Sequence, residues 1–251
     1  MNVFPQGYFG PRKVYHTDGT MMFDSLTSYK KKYLVPFLKS LPQNARVLDV
    51  GCGKGKTIAL IMELRPDIDI FGCDITDVST FMPPGVSFVQ CSADEISSHF
   101  NAQSFDAVIC QHVIEHLAYS TDMVASFLEI LKSGGKFFLE TPNWTRLLVP
   151  FSPLYFWDDY THIHPFSSTS IRRLFNEFDF IEELIVSVST VDVGSRIKKF
   201  SSNETESPDG IMKAKGVGQK KPFLRKLFDA VLDLTVHQIL RDVIVAVAIK
   251  K

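Results

Sequence analysis

Short apolar runs that end in Gly, Asp, Cys or Pro alternate along this chain with segments whose apolar residues recur at three- and four-residue spacing. The runs VLDV (47–50), IDIFGCD (68–74), VSFVQC (86–91), FDAVIC (105–110) and KFFLETP (136–142) predict strands. Helical spacing predicts helices over 25–40, with Pro36 as a kink or break, over 56–65, and from about 114 to 131. Alternation of strand and helix implies right-handed crossovers and a parallel sheet covered on both faces. A ligand then sits at the carboxyl ends of the strands, where the strand order reverses.

The second half carries a helix over 168–178, capped by Ser167 or Ser168, with Ile171, Leu174, Phe175 and Phe178 on one face. A strand follows at about 181–190. Residues 195–222 are polar and rich in Gly, Ser and Lys, which predicts a mobile insertion. Apolar residues at 224, 227, 228, 231 and 234 then give an amphipathic helix over 223–240, and a closing strand follows over 242–251. That helix is expected to pack on the domain rather than on a membrane surface. The chain divides into an N-terminal lid segment (1–43), a core (44–194) with an acceptor-pocket insertion at about 142–166, the polar insertion, and a C-terminal helix and strand belonging to the same domain.

Composition narrows the function classes. The 251 residues are 45% hydrophobic, enough for one substantial core, and a net charge of −1 gives no global reason to bind nucleic acid. No apolar run reaches the length of a membrane span, and the N-terminus lacks a signal-peptide core, so a cytoplasmic monomer or homodimer is expected. Cys52, Cys73, Cys91 and Cys110 form no C-x-x-C pair; each falls at or just past a strand end, which suits small residues lining a sheet edge better than a thiolate metal site.

The chemistry concentrates in VLDVGCGKG, residues 47–55. Glycines at 51, 53 and 55 let backbone approach a ligand, and the helix beyond presents N–H groups to an anionic group. A dinucleotide fingerprint fails because Lys56 stands where its third glycine or alanine belongs, and a P-loop fails because Val50 stands where its first glycine belongs. What remains, Asp49 leading Gly51, Gly53 and Gly55, resembles motif I of the class I S-adenosylmethionine (SAM) methyltransferases.

The resemblance covers roughly residues 44–190 and implies a Rossmann-like α/β fold: a seven-stranded, mostly parallel sheet with helices on both faces and an antiparallel last strand. It implies SAM as cofactor, with S-adenosylhomocysteine as product. The motif I acid Asp49 and the turn at Gly51, Cys52 and Gly53 would hold the methionine part, and Asp74 with Ile75 the ribose end. A carboxylate accepting two hydroxyls suits that role. The family places an acid before an alanine to contact adenine. Here Cys91-Ser92-Ala93-Asp94 puts Ser92 in that place, and Asp94 substitutes for it only by a register shift.

Residues 105–117, FDAVICQHVIEHL, resemble the family's fourth motif, which makes Gln111 and His112 candidates beneath the reactive methyl. The same letters spell H-x-x-E-H from His112 to His116, a zinc-peptidase pattern that helical spacing would place on one face. Its position after a buried strand and a cofactor turn argues against a peptidase, and no resident metal is expected. Two further readings stay open: metal-assisted RNA 2′-O-methylation, for which the related enzymes carry Glu where His112 stands, and a non-catalytic SAM-binding module. Trp144, Tyr155, Trp157 and Tyr160 lie in an aromatic stretch suited to a small-molecule or glycan acceptor. O-methylation by in-line displacement is expected, with His112 as the first general-base candidate and His164 and His162 next, because imidazole titrates near neutrality.

Overall fold

The computed structural model describes residues 27–145, 159–188 and 243–251. The N-terminal loop, the polar insertion at 195–222, the amphipathic helix at 223–240 and the positions Tyr155 and Trp157 lie outside the described residues.

The elements run α1 (Ser28–Ser40), β1 (Arg46–Val50), α2 (Lys56–Leu64), β2 (Asp69–Asp74), β3 (Ser87–Gln90), β4 (Phe105–Gln111), α3 (Ser120–Ile130), β5 (Leu131–Pro142), α4 (Ser168–Glu177), β6 (Phe180–Val188) and β7 (Val243–Lys250). They build one seven-stranded sheet of order β3-β2-β1-β4-β5-β7-β6. The strands from β3 through β5 pair in parallel, whereas β7 is antiparallel to both β5 and β6. The order reverses between β1 and β4, so the carboxyl ends of these two strands flank the crevice where this architecture binds ligands.

Alternation along the central strands explains the layers. Val47, Ala107, Ile109 and Phe138 face one side with α1 and α2; Leu48, Val108, Cys110, Phe137 and Leu139 face the other with α3 and α4. Helices therefore cover both faces. All four cysteines are buried thiols at or near the carboxyl ends of β1 to β4.

Two elements depart from the pattern read in the sequence. Helix α1 runs through Pro36 without a break. Burial of Leu34, Val35, Phe37 and Leu38, with the Phe37 ring 5.1 Å from Phe138, outweighs the one backbone bond that proline removes. The helix expected over 114–131 is divided: a single 3₁₀ turn covers Ile114–His116, and α3 begins only at Ser120. The Glu115 carbonyl accepts the N–H groups of Ile163 and His164, and the Ala118 carbonyl accepts His164 Nε2. Carbonyls that a continuous helix would use are thus taken by the loop at 159–164. Helix α4 starts where the serine pair suggested, with Ser167 and Ser170 forming a reciprocal capping box.

Candidate active site

The turn after β1 is held open by backbone that only glycine tolerates. Gly51 has φ +68°, and a Cβ there would lie 2.3 Å from Val113 Cγ2; Gly55, φ +73°, is the N-cap of α2. The N–H groups of Gly51 and Cys52 both donate to the Cys73 carbonyl, which ties the turn to the end of β2. Lys56 is exposed on the first turn of α2.

Two carboxylates flank the turn. Asp49 is buried, and no hydrogen bond reaches its Oδ2. Burial pushes its pKa up to about 7, with the nearby Lys30 charge opposing and Asp74 adding to the rise. Asp74, also buried, accepts the Gly53 N–H on Oδ2 and the Thr76 N–H on Oδ1, both at 2.9 Å. Each of these oxygens keeps a further acceptor site. Ile75 beside it is exposed. After β3, Ser92 donates to Asp94 Oδ1 and Ala93 is buried, so Ser92 and Asp94 form one acceptor pair rather than two competing candidates. An orphaned buried carboxylate oxygen beside a turn that admits no Cβ fits a ligand bearing an amino group. The methionine end of SAM is such a group.

The carboxyl end of β4 meets β5 in a network centred on Glu140, a residue that pattern reading passed over. Glu140 is fully buried. Its Oε1 accepts the Tyr29 hydroxyl at 2.8 Å and lies 3.0 Å from His112 Nε2; its Oε2 accepts Gln111 Nε2 at 2.7 Å. Gln111 Oε1 in turn accepts the Thr57 hydroxyl at 2.8 Å, which fixes the amide's orientation. A signal was present: a carboxylate inside the apolar run KFFLETP demands buried partners.

His112 follows β4 with φ +55°, a left-handed conformation costing about 1–2 kcal/mol for a residue with a Cβ, and its N–H donates to the Glu140 carbonyl at 2.8 Å. The side chain is 46% exposed, with Nε2 on Glu140 and Nδ1 3.5 Å from Glu115 Oε1. Burial opposes its charge, but the two glutamates outweigh that and raise its pKa to about 10. Burial likewise pushes Glu140 up, and the His112 hydrogen bond and charge, Lys30 and Tyr29 bring it down to about 2. At neutral pH this pair is imidazolium and carboxylate. Two carboxylates facing one ring favour its protonated form, which weighs against His112 as the unprotonated base that its free pKa suggested.

The H-x-x-E-H letters lie on no α-helix. His112 sits in a left-handed turn and Glu115 and His116 in a 3₁₀ turn, which removes the shared helical face a peptidase would need. Glu115 is fully buried; its Oε2 accepts the Thr141 hydroxyl at 2.9 Å. His116 Nδ1 contacts the Thr161 carbonyl and hydroxyl at 3.2 and 2.9 Å, its ring lies tilted against that of His162 with centroids 4.7 Å apart, and burial lowers its pKa. His164 Nε2 donates to the Ala118 carbonyl at 3.0 Å, leaving the lone pair on Nδ1. Trp144 and Tyr160 are exposed, at 42% and 74%. The structure thus sets Gln111 and His112 side by side at the end of β4, brings His162 and His164 against the turn at 115–118, and places Asp49, Gly51, Cys52, Gly53 and Asp74 around the ends of β1 and β2.

An open α/β sheet of this order, with an acid near the end of β1, a glycine turn after it and a second acid ending β2, defines a Rossmann-like cofactor-binding domain. The profile of the methyltransferase domain family matches residues 24–181, more than half of the chain, which belongs to this family of class I SAM-dependent methyltransferases. The ubiquinone biosynthesis O-methyltransferase of Xanthomonas axonopodis pv. citri is 32% identical over 143 residues, covering 54% of this chain and 55% of that protein. The tRNA (carboxymethyluridine(34)-5-O)-methyltransferase of Xenopus tropicalis is 35% identical over 103 residues, 40% of this chain and 16% of that protein. The match thus spans about half the length of the first of these relatives and far less of the second. A crystal structure of a SAM-dependent methyltransferase from Archaeoglobus fulgidus shares the fold, with TM-score 0.62 and 19% identity over 89% of this chain and 92% of that one.

Proposed function

We propose that this protein transfers a methyl group from SAM to a hydroxyl of a small-molecule or glycan-type acceptor. The observation that carries the reading is the buried Asp49 carboxylate, orphaned at Oδ2 beside the glycine turn. In this reading Asp49, Gly51, Cys52 and Gly53 hold the methionine end, Asp74 and Ile75 the ribose, and Ser92, Ala93 and Asp94 the adenine. The cofactor, when bound, supplies an activated methyl on its sulfonium. The chain's own work is to align the acceptor and exclude water, worth about 7–11 kcal/mol where alignment is complete.

Gln111, locked between Thr57 and Glu140, lines the transfer face. His112 acts there as a fixed imidazolium that positions the turn. The base falls to His164, whose Nδ1 lone pair is set by the bond to Ala118, with His162 beside it. Trp144 and Tyr160, and from the stretch outside the described residues Tyr155 and Trp157, supply acceptor contacts. Among the described residues no helix is long and apolar enough to cross a membrane. A cytoplasmic monomer or homodimer acting on a non-nucleic-acid acceptor completes the proposal.

The test is calorimetric titration with SAM and S-adenosylhomocysteine, followed by turnover across phenolic, sugar and RNA acceptors. Micromolar cofactor binding with transfer to a small hydroxyl acceptor is expected. Absence of cofactor binding overturns the reading; cofactor binding without transfer to any acceptor favours a non-catalytic module; transfer to RNA alone replaces the acceptor class.

A further inference from the structure

Glu115, His116 and His162 each direct one ligand-type atom into a common space, all within 4.8 Å of one another. Glu115 comes from the 3₁₀ turn after β4, as does His116, while His162 arrives from the loop at 159–164. The backbone fastens these two segments together, since the Glu115 carbonyl accepts both Ile163 and His164 N–H groups at 2.9 and 3.1 Å. The three side chains therefore meet through a built contact rather than by chance proximity of loops.

Two further observations point to a ligand. Glu115 is fully buried, its Oε2 is satisfied by Thr141, and no hydrogen bond reaches its Oε1. The His112 ring approaches that oxygen only to 3.5 Å, too far for a good hydrogen bond. That oxygen has an ion-pair contact to the His112 ring but no hydrogen bond, so its acceptor capacity is left open in a buried site. The His116 ring is also already set for ligation. The Thr161 carbonyl can only accept, and the Thr161 hydroxyl donates to Asp159 Oδ1 at 2.6 Å, so His116 Nδ1 must be the donor to both Thr161 oxygens. That places the lone pair on Nε2. Donation from the non-ligating nitrogen to a backbone carbonyl is the arrangement that orients metal-bound histidines.

From this geometry we propose that Glu115, His116 and His162 form a binding site for a divalent transition metal of the zinc and cobalt class. Two imidazoles and one carboxylate match the preference of these borderline ions, whereas magnesium and calcium favour all-oxygen shells. Metal–ligand bonds of about 2.1 Å place tetrahedral ligands about 3.4 Å apart. With the three ligand atoms no more than 4.8 Å apart, a closure of at most about 1.4 Å reaches that spacing. Three protein ligands leave open positions for an exogenous oxygen. Binding itself is independent of the proposed reaction. Its role rests on that reading: an acceptor hydroxyl on the ion would lose its O–H proton more readily, to His164, before its oxygen takes the methyl.

The experiment is titration of the reduced, metal-stripped full chain with Co²⁺, followed by visible absorption, and with Zn²⁺ by calorimetry. One equivalent should bind with micromolar or tighter affinity. His116→Asn, His162→Asn and Glu115→Gln should each weaken binding by roughly tenfold or more. His99→Asn, at an exposed position on another part of the surface, should leave it unchanged. Far-UV circular dichroism verifies that each variant folds, and His162→Asn, being partly exposed, keeps the test valid if Glu115→Gln does not. Absence of saturable one-equivalent binding overturns the proposal, as does binding that survives in the folded variants. SAM affinity of the metal-free protein, read in parallel, separates this failure from failure of the methyltransferase reading.

Discussion

The Tyr29 hydroxyl on α1 donates to Oε1 of Glu140 on β5 at 2.8 Å, joining two residues 111 positions apart at the carboxyl edge of the sheet. Through Glu140 the N-terminal helix is connected to Gln111, the last residue of β4, and to His112 just after it. Tyr29→Phe removes a hydrogen bond to a charged, buried acceptor and should cost about 2 kcal/mol in denaturant unfolding. If the bond matters to the site, cofactor affinity of this variant falls as well; equal affinity with lower stability would restrict its role to anchoring α1.

Glu140→Gln leaves His112 with one carboxylate. The variant should lose about 3 kcal/mol, near the lower bound for a broken buried pair because the imidazole is half exposed and can hydrate. Proton NMR titration of the His112 ring should show its pKa falling from about 10 toward neutrality. An unchanged ring pKa would show that Glu140 does not hold the proton.

The same pair sets a pH window. His112 titrates higher in the folded state than its usual 6.5, so its contribution is complete below about 6.5 and is lost as pH rises through about 10. Glu140 titrates lower than its usual 4.5, so its contribution is complete above about 4.5 and is lost as pH falls toward about 2. Thermal stability should be flat with respect to this pair between those limits and decline outside them, and the alkaline decline should be smaller in His112→Gln.

Asp49, with its pKa raised to about 7, is half protonated at neutrality. In the proposed site a cofactor ammonium group pairs with the ionised form, so SAM affinity should rise roughly twenty-five-fold between pH 5.5 and 7.5. Asp49→Asn should bind more weakly and lose that dependence, which calorimetry at four or five pH values would read directly.

Gly51→Ala forces a Cβ to 2.3 Å from Val113 Cγ2 at a φ of +68°. About 3 kcal/mol of stability should be lost, from left-handed strain and overpacking together. Adding Val113→Ala should restore the packing part and leave the backbone part, a separation that a double-mutant cycle resolves.

Sequence alone determined the α/β alternation, the glycine turn with Asp49 and Asp74, and the α4 cap, because each rests on local rules: side-chain period, the conformational freedom of glycine, and hydroxyl capping at short spacing. It could not show that the segment 114–131 is broken, since the groups that compete for the Glu115 and Ala118 carbonyls come from His164 and Ile163, nearly fifty residues on. Nor could it show that Glu140 meets Tyr29, Gln111 and His112, or that Glu115 converges with His116 and His162. The protonation of His112 belongs to the same class. A histidine's ordinary pKa is a property of the residue, but the charge it carries here is set by two carboxylates, one of which only the pairing of β4 with β5 brings to its ring.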